Sequence, residues 1–119
     1  MIQHHFNTGA TLIVANLELF AKFNTEQVMQ DEIRILVDTS QARTVVIPRI
    51  TEFPVRNVRI TVVDVTGSAS GNNITVMAST GLPDDLIDGS PTYTISTNFG
   101  ANRFEPLDDN GWFVVNVGS

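Results

Sequence analysis

Few residues in this 119-residue chain are of a type that could do chemistry, and their spacing argues against most of it. His4 and His5 are adjacent, so on a strand they point to opposite faces and cannot both bind one ion from the same chain. One histidine from each of several chains could meet at a symmetry axis and hold a metal. The simpler reading is a mobile or interface-packed terminus, and no metal ligand is assigned. The acidic stretches "PDDLID" (83 to 88) and "PLDDNG" (106 to 111) carry carboxylates and an Asn carbonyl of the kind calcium takes. Neither completes an EF-hand loop, and solvated turns account for both. A serine triad would need His4 or His5 from a terminus that nothing positions, and no pattern sets two carboxylates across a cleft. Trp112, Phe113 and Tyr93 could form a sugar-binding platform, although an aromatic opening a core strand more often packs inward. Asn73-Ile74-Thr75 is a glycosylation sequon with no secretory signal ahead of it. No catalytic residue, cofactor site or metal site is expected, so the chain reads as a non-enzyme.

Composition bounds what such a chain can be. A domain of this length buries roughly two-thirds of the surface its unfolded chain exposes, enough for one ordinary core. With 42% hydrophobic and 17% charged residues, the chain belongs to the globular class. Thirteen acidic residues face one lysine and six arginines, for a net charge of −6. Nucleic-acid binding needs clustered basic residues to replace counterions, whereas these arginines are spread from Arg34 to Arg103. The absence of cysteine excludes disulfides and thiol-rich metal sites. The longest near-apolar run, "TLIVANLELFAKF", is broken by Asn16, Glu18 and Lys22 and falls short of the ~20 residues a membrane helix needs. "MIQHHFNTGA" lacks the basic start of a signal peptide, so synthesis in a cytosol without export is expected, with neither nucleic acid nor membrane as partner.

The elements that would position any site change character near residue 33. Before it, Leu12, Leu19, Phe20 and Phe23 fall roughly on one helical face, while Ile13, Ala15, Leu17, Leu19 and Ala21 fit an alternating strand equally well. Both readings stay open. Asn24 or Thr25 can cap a short helix over 25 to 32. After it the signal is strand: "IRILVD" (33 to 38), "TVVIP" (44 to 48), "VRITVVDV" (58 to 65), "ITVMA" (74 to 78), "TYTIST" (92 to 97) and "WFVVNV" (112 to 117). Val58, Ile60 and Val62 form one face of the third run, and Val63 and Val65 make its other face apolar too, which predicts burial on both sides. Asp88-Gly89 and Asn110-Gly111 suit turns at positive φ, and each precedes a strand. The five prolines fall at strand ends or in connections. Short strands at this spacing predict an all-β chain: a compact antiparallel β-sandwich or barrel-like module at 33–119, preceded by an N-terminal extension with the short helix as one option.

The ordered set "ILVDTS", "TVVIPRI", "VRITVVDVTGSASGNNITVMA", "LIDGSPTYTIST" and "GWFVV" resembles a recurring module of tailed-bacteriophage virion proteins, found in head-fibre, capsid-decoration and tail-appendage proteins. The likeness covers about residues 33 to 117. It rests on a strand ending Val-Asp-Thr-Ser, one ending in a hydrophobic residue and Pro, and one ending Asp-x-x-Gly. An Ala- and Asn-containing loop into Asn-Ile-Thr follows, then Ile-x-Gly and a late Gly-Trp. In its central loop Gly67 and Gly71 allow tight backbone, Asn72 and Asn73 tolerate the left-handed region, and Ala69 can sit against a neighbour.

What the resemblance implies is mechanical work on a virus particle by a compact β-rich unit, often trimeric. The chain is expected to be a virion structural protein, assembled in the host cytoplasm, that decorates or stabilises a capsid as a head fibre or decoration protein. The alternative is a tail or tail-fibre host-recognition module whose loops 66 to 73, 82 to 91 and 99 to 110 bind a surface glycan or protein. The short length and the lack of a heptad or Gly-X-Y shaft favour the first. Its partners would be further copies of itself, in a threefold unit by the resemblance, and the major capsid or other virion proteins. Residues 1–32 lie outside the likeness and are expected to dock or oligomerise through Phe6, Leu12, Val14, Leu19, Phe20 and Phe23. Ile60, Val62, Ile74, Val76 and Trp112 are expected in the core, with Gly67, Gly71, Gly89 and Gly111 at its turns.

Overall fold

Alternating apolar residues in the runs named above build two β-sheets around one core. The structure, a computed structural model, describes residues 2–14, 32–47, 59–78, 86–107 and 111–118. All regular structure among these residues is strand. The strands are β1 (Ile2–Phe6), β2 (Thr11–Ile13), β3 (Glu32–Val37), β4 (Arg43–Ile47), β5 (Arg59–Asp64), β6 (Ile74–Ala78), β7 (Leu86–Ile87), β8 (Thr92–Ile95), β9 (Ala101–Pro106) and β10 (Gly111–Gly118). One sheet has the order β1-β3-β5-β9-β10-β7 and the other β2-β4-β6-β8.

The chain alternates between the sheets from β1 through β9, and this decides the strand directions. The excursions through β2 and β4 bring the chain back to the larger sheet running in the same direction. Hence β1, β3 and β5 lie parallel, as do β2, β4 and β6. The expected antiparallel sandwich is therefore corrected to a pair of mixed sheets. Among the described residues, antiparallel pairing joins β5 to β9, β9 to β10 and β6 to β8. A side-chain period of two is common to parallel and antiparallel strands, so it carries no information on direction.

The stacked arches keep register. Phe6 pairs with Val37 and Val37 with Asp64 in the larger sheet. In the smaller one, Thr11, Thr44, Thr75 and Thr94 form a continuous row across all four strands. The next outward row holds Ile13, Val46, Met77 and Thr92, so the outward positions of these two rows carry no charge. The outer face of the larger sheet differs, because Glu105 lies 2.8 Å from Arg103 and 3.9 Å from Arg59.

Between the sheets, Ile33, Ile35, Ile60, Val62, Phe104 and Trp112 meet Val45, Ile47, Ile74, Val76 and Ile95. The expected core residues Ile60, Val62, Ile74, Val76 and Trp112 are all buried. Val65 is not: it is 43% exposed, because it lies past the end of β5 where the chain leaves the sheet. Val63 is half-buried.

The first fourteen residues contribute an edge strand to each sheet. Phe6 and Val14, expected at a docking surface, are buried within this one chain, and half-buried Leu12 packs against the same core. Phe6 also lies under the guanidinium of buried Arg43, 5.1 Å from ring centroid to Cζ. Arg43 donates to the carbonyls of Asp38 and Gly9, which ties the first arch to the second. Leu19, Phe20, Phe23 and the short helix over 25 to 32 lie outside the described residues.

Candidate functional site: a buried aspartate hub and a polar cleft

The alternation of β5 puts Ile60, Val62 and Asp64 on the core side. A carboxylate there must be matched by donors, since burying a charge without partners is prohibitive. Asp64, 1% exposed, has five. Its Oδ1 accepts from the Thr39 hydroxyl at 2.8 Å and from the backbone N–H groups of Thr66 at 3.1 Å and Gly67 at 2.9 Å. Its Oδ2 accepts from the N–H groups of Ala69 at 3.1 Å and Phe99 at 3.0 Å. Burial pushes the carboxyl pKa up, but the Thr39 hydroxyl and the Gly67, Phe99 and Ala69 amides outweigh it and hold the group below its ordinary value of 3.8.

Thr39 completes the hub from the preceding arch. Its N–H donates to Thr66 Oγ1 at 2.7 Å, and its own Oγ1 accepts from Ser68 N–H at 2.9 Å. With the Thr39 proton committed to Asp64, the 2.9 Å contact between the two threonine hydroxyls has Thr66 as donor. Asn72 Nδ2 donates to the Thr39 carbonyl at 2.8 Å, and Ser70 N–H to Asn98 Oδ1 at 2.8 Å. Asp38, next to the hub but solvated, is also held below its usual range, first by the backbone N–H and then the side chain of Ser40.

Gly67 adopts φ +84°, and a methyl carbon added to it would sit 2.3 Å from the ring of Phe99. Glycine is needed there for conformation and for space. Phe99 is itself left-handed, at φ 58°, and 61% exposed. Gly71 has no positive φ and open space around it, and the side chain of Asn72 is used for its hydrogen bond rather than for a left-handed backbone. Asp88 (φ 49°) and Gly89 (φ 79°) form the expected tight turn, closed by reciprocal bonds between Ile87 and Ser90. Gly111 opens β10 opposite Leu86.

The residues weighed for chemistry stay apart. His4 is half-buried and His5 exposed on the other face of β1. Among the described residues no three His, Asp or Glu side chains are grouped to hold a metal. Asp88 is described, whereas Asp84, Asp85, Asp108 and Asp109 of the acidic stretches lie outside. Trp112 is 1% exposed in the core, and half-buried Phe113 takes the opposite face of β10, so they do not share a platform. Asn73 is exposed at the entry to β6.

A second feature was not expected. Near the end of β8 the space between the sheets opens as a cleft of about 150 Å³, walled by Tyr93, Thr97, Asn102, Asn116 and the backbone of Gly100 and Gly118. Asn102 is buried and donates from Nδ2 to the Tyr93 hydroxyl at 3.3 Å. Tyr93 in turn meets Phe104 edge-on, with centroids 5.8 Å apart. The signal was present in "ANRFEP", where Asn102 and Phe104 share the inward face.

No protein-family model matches the chain, and no curated protein sequence matches it.

Proposed function

We propose that this chain is a non-enzymatic structural protein of a bacteriophage particle, a decoration or head-fibre module that stands on the capsid as an oligomer, a trimer by the resemblance. The observation that carries the proposal is the convergence of its separate motifs. "VDTS" supplies Thr39, "DVTG" supplies Asp64, Thr66 and Gly67, and the Asn-containing loop supplies Asn72, all within one hydrogen-bonded hub. Their recurrence in order is what a single mechanical device requires, and its groups are consumed in holding the loop rather than left free for substrate.

A charge-free patch suits contact with like-charged copies in a chain of net charge −6. The two uncharged rows on the four-stranded sheet provide one. Strand spacing and rise give that face roughly 300 Å², less than half of the roughly 800 Å² per partner in a standard interface. Association through it alone is therefore weak, and the capsid lattice completes the assembly.

The test is binding of the purified chain to heads that lack it. Saturation in proportion to lattice sites, in multiples of three, is expected. Failure to bind any head, together with retention on host cells, would replace this reading with the tail-module alternative, which the polar cleft favours.

A further inference from the structure

We infer that the cleft between β8 and the β9–β10 pair is a binding site for one neutral sugar ring. Its chemistry selects the class. None of the side chains lining it is charged, so an ionic ligand would lose water without gaining a counter-charge. The polar groups are two carboxamides, a phenol and hydroxyls: Asn102, Asn116, Tyr93, Ser96 and Thr97. Carboxamides and hydroxyls both donate and accept, which matches sugar hydroxyls that do the same. Asn102 is 7% exposed and faces inward between the sheets, with its Nδ2 on Tyr93. That bond leaves its carbonyl oxygen to accept from a ligand hydroxyl. Asn116 is exposed at the mouth, where its Oδ1 accepts from Gly118 N–H at 3.1 Å, which leaves its amide group as a donor to a ligand.

Size narrows the class further. The volume of about 150 Å³ falls below the roughly 300–1,000 Å³ of a drug-sized pocket. One pyranose fits, with any further sugars of a chain outside. The inference does not depend on where the chain stands on a particle, and its test uses the isolated chain, so its failure leaves the capsid reading untouched.

The test is an NMR titration of the full chain with methyl glycosides of glucose, galactose, mannose and N-acetylglucosamine, with acetate and phosphate as charged controls. At least one glycoside is expected to shift the Asn102 and Asn116 carboxamides and the Gly100 and Gly118 amides, saturating with a millimolar Kd, roughly −4 kcal/mol at 1 mM. Asn116→Ala, at an exposed position, should weaken that glycoside about tenfold without changing the melting temperature. Asn102→Asp should abolish binding, and if it fails to fold, Asn116→Ala alone decides. The inference is overturned if no glycoside shifts these signals at about 100 mM, a hundredfold above that Kd. It is also overturned if acetate or phosphate shifts them equally, or if Asn116→Ala leaves the affinity unchanged.

Discussion

The hydroxyl of Thr39 donates to Oδ1 of Asp64 across 2.8 Å, joining the ends of two parallel neighbouring strands that are 25 residues apart in the chain. The loop after β5 is built around this contact. Three of its own N–H groups turn back onto the same carboxylate.

Asp64→Asn keeps the shape but turns one acceptor into a donor facing N–H groups. Unsatisfied buried donors cost about 1–3 kcal/mol each, so a loss of about 2–4 kcal/mol is expected in urea unfolding. Thr39→Val should lose about 1–3 kcal/mol, and Thr39→Ser should recover most of it. Equal stability of all three variants would mean that the hub is incidental.

Acid should weaken the fold in a defined window. Because the folded-state pKa of Asp64 lies below its ordinary 3.8, this contribution is fully present above the unfolded value and is lost as pH falls through the folded one. Between the two values the unfolded chain holds a proton that the folded chain does not, so stability drops by up to about 1.4 kcal/mol per pH unit. Urea midpoints below pH 4 should show this slope, and it should be shallower in Asp64→Asn.

The strands legible in the residues are those with dense Val, Ile and Thr alternation: β3, β4, β5, β6, β8 and β10. Two strands escaped because their composition is unlike strand, "IQHHF" with its paired histidines and "ANRFEP" with four polar or proline positions. Strand β7 has two residues and exists through its pairing with β10. Direction was hidden because it depends on where the chain travels between strands. The hub was half visible: glycine and asparagine marked the loop, while Asp64 read as a strand end. Its place two residues after Val62, on the core face, was the available signal, since a carboxylate there demands partners. The cleft left a similar trace in inward-facing Asn102.

Gly67 and Phe99 should behave as a coupled pair. Gly67→Ala meets both the positive φ and the Phe99 ring, at a cost of about 1–3 kcal/mol. In a Phe99→Ala background only the conformational part, about 1 kcal/mol, should remain. Additive effects in a double-mutant cycle would show that the ring does not rest on Gly67.

Trp112 is among the largest buried side chains in the core. Trp112→Ala should cost about 3–5 kcal/mol, read as a fall in melting temperature. An unchanged transition would place the ring outside the core.

The most direct test of the virion reading is immunogold imaging of particles carrying an epitope-tagged copy of this chain, with its copy number measured on gradient-purified particles. The account predicts label on the head in multiples of three per lattice site. Particles free of the chain, or label confined to the tail tip, would contradict it.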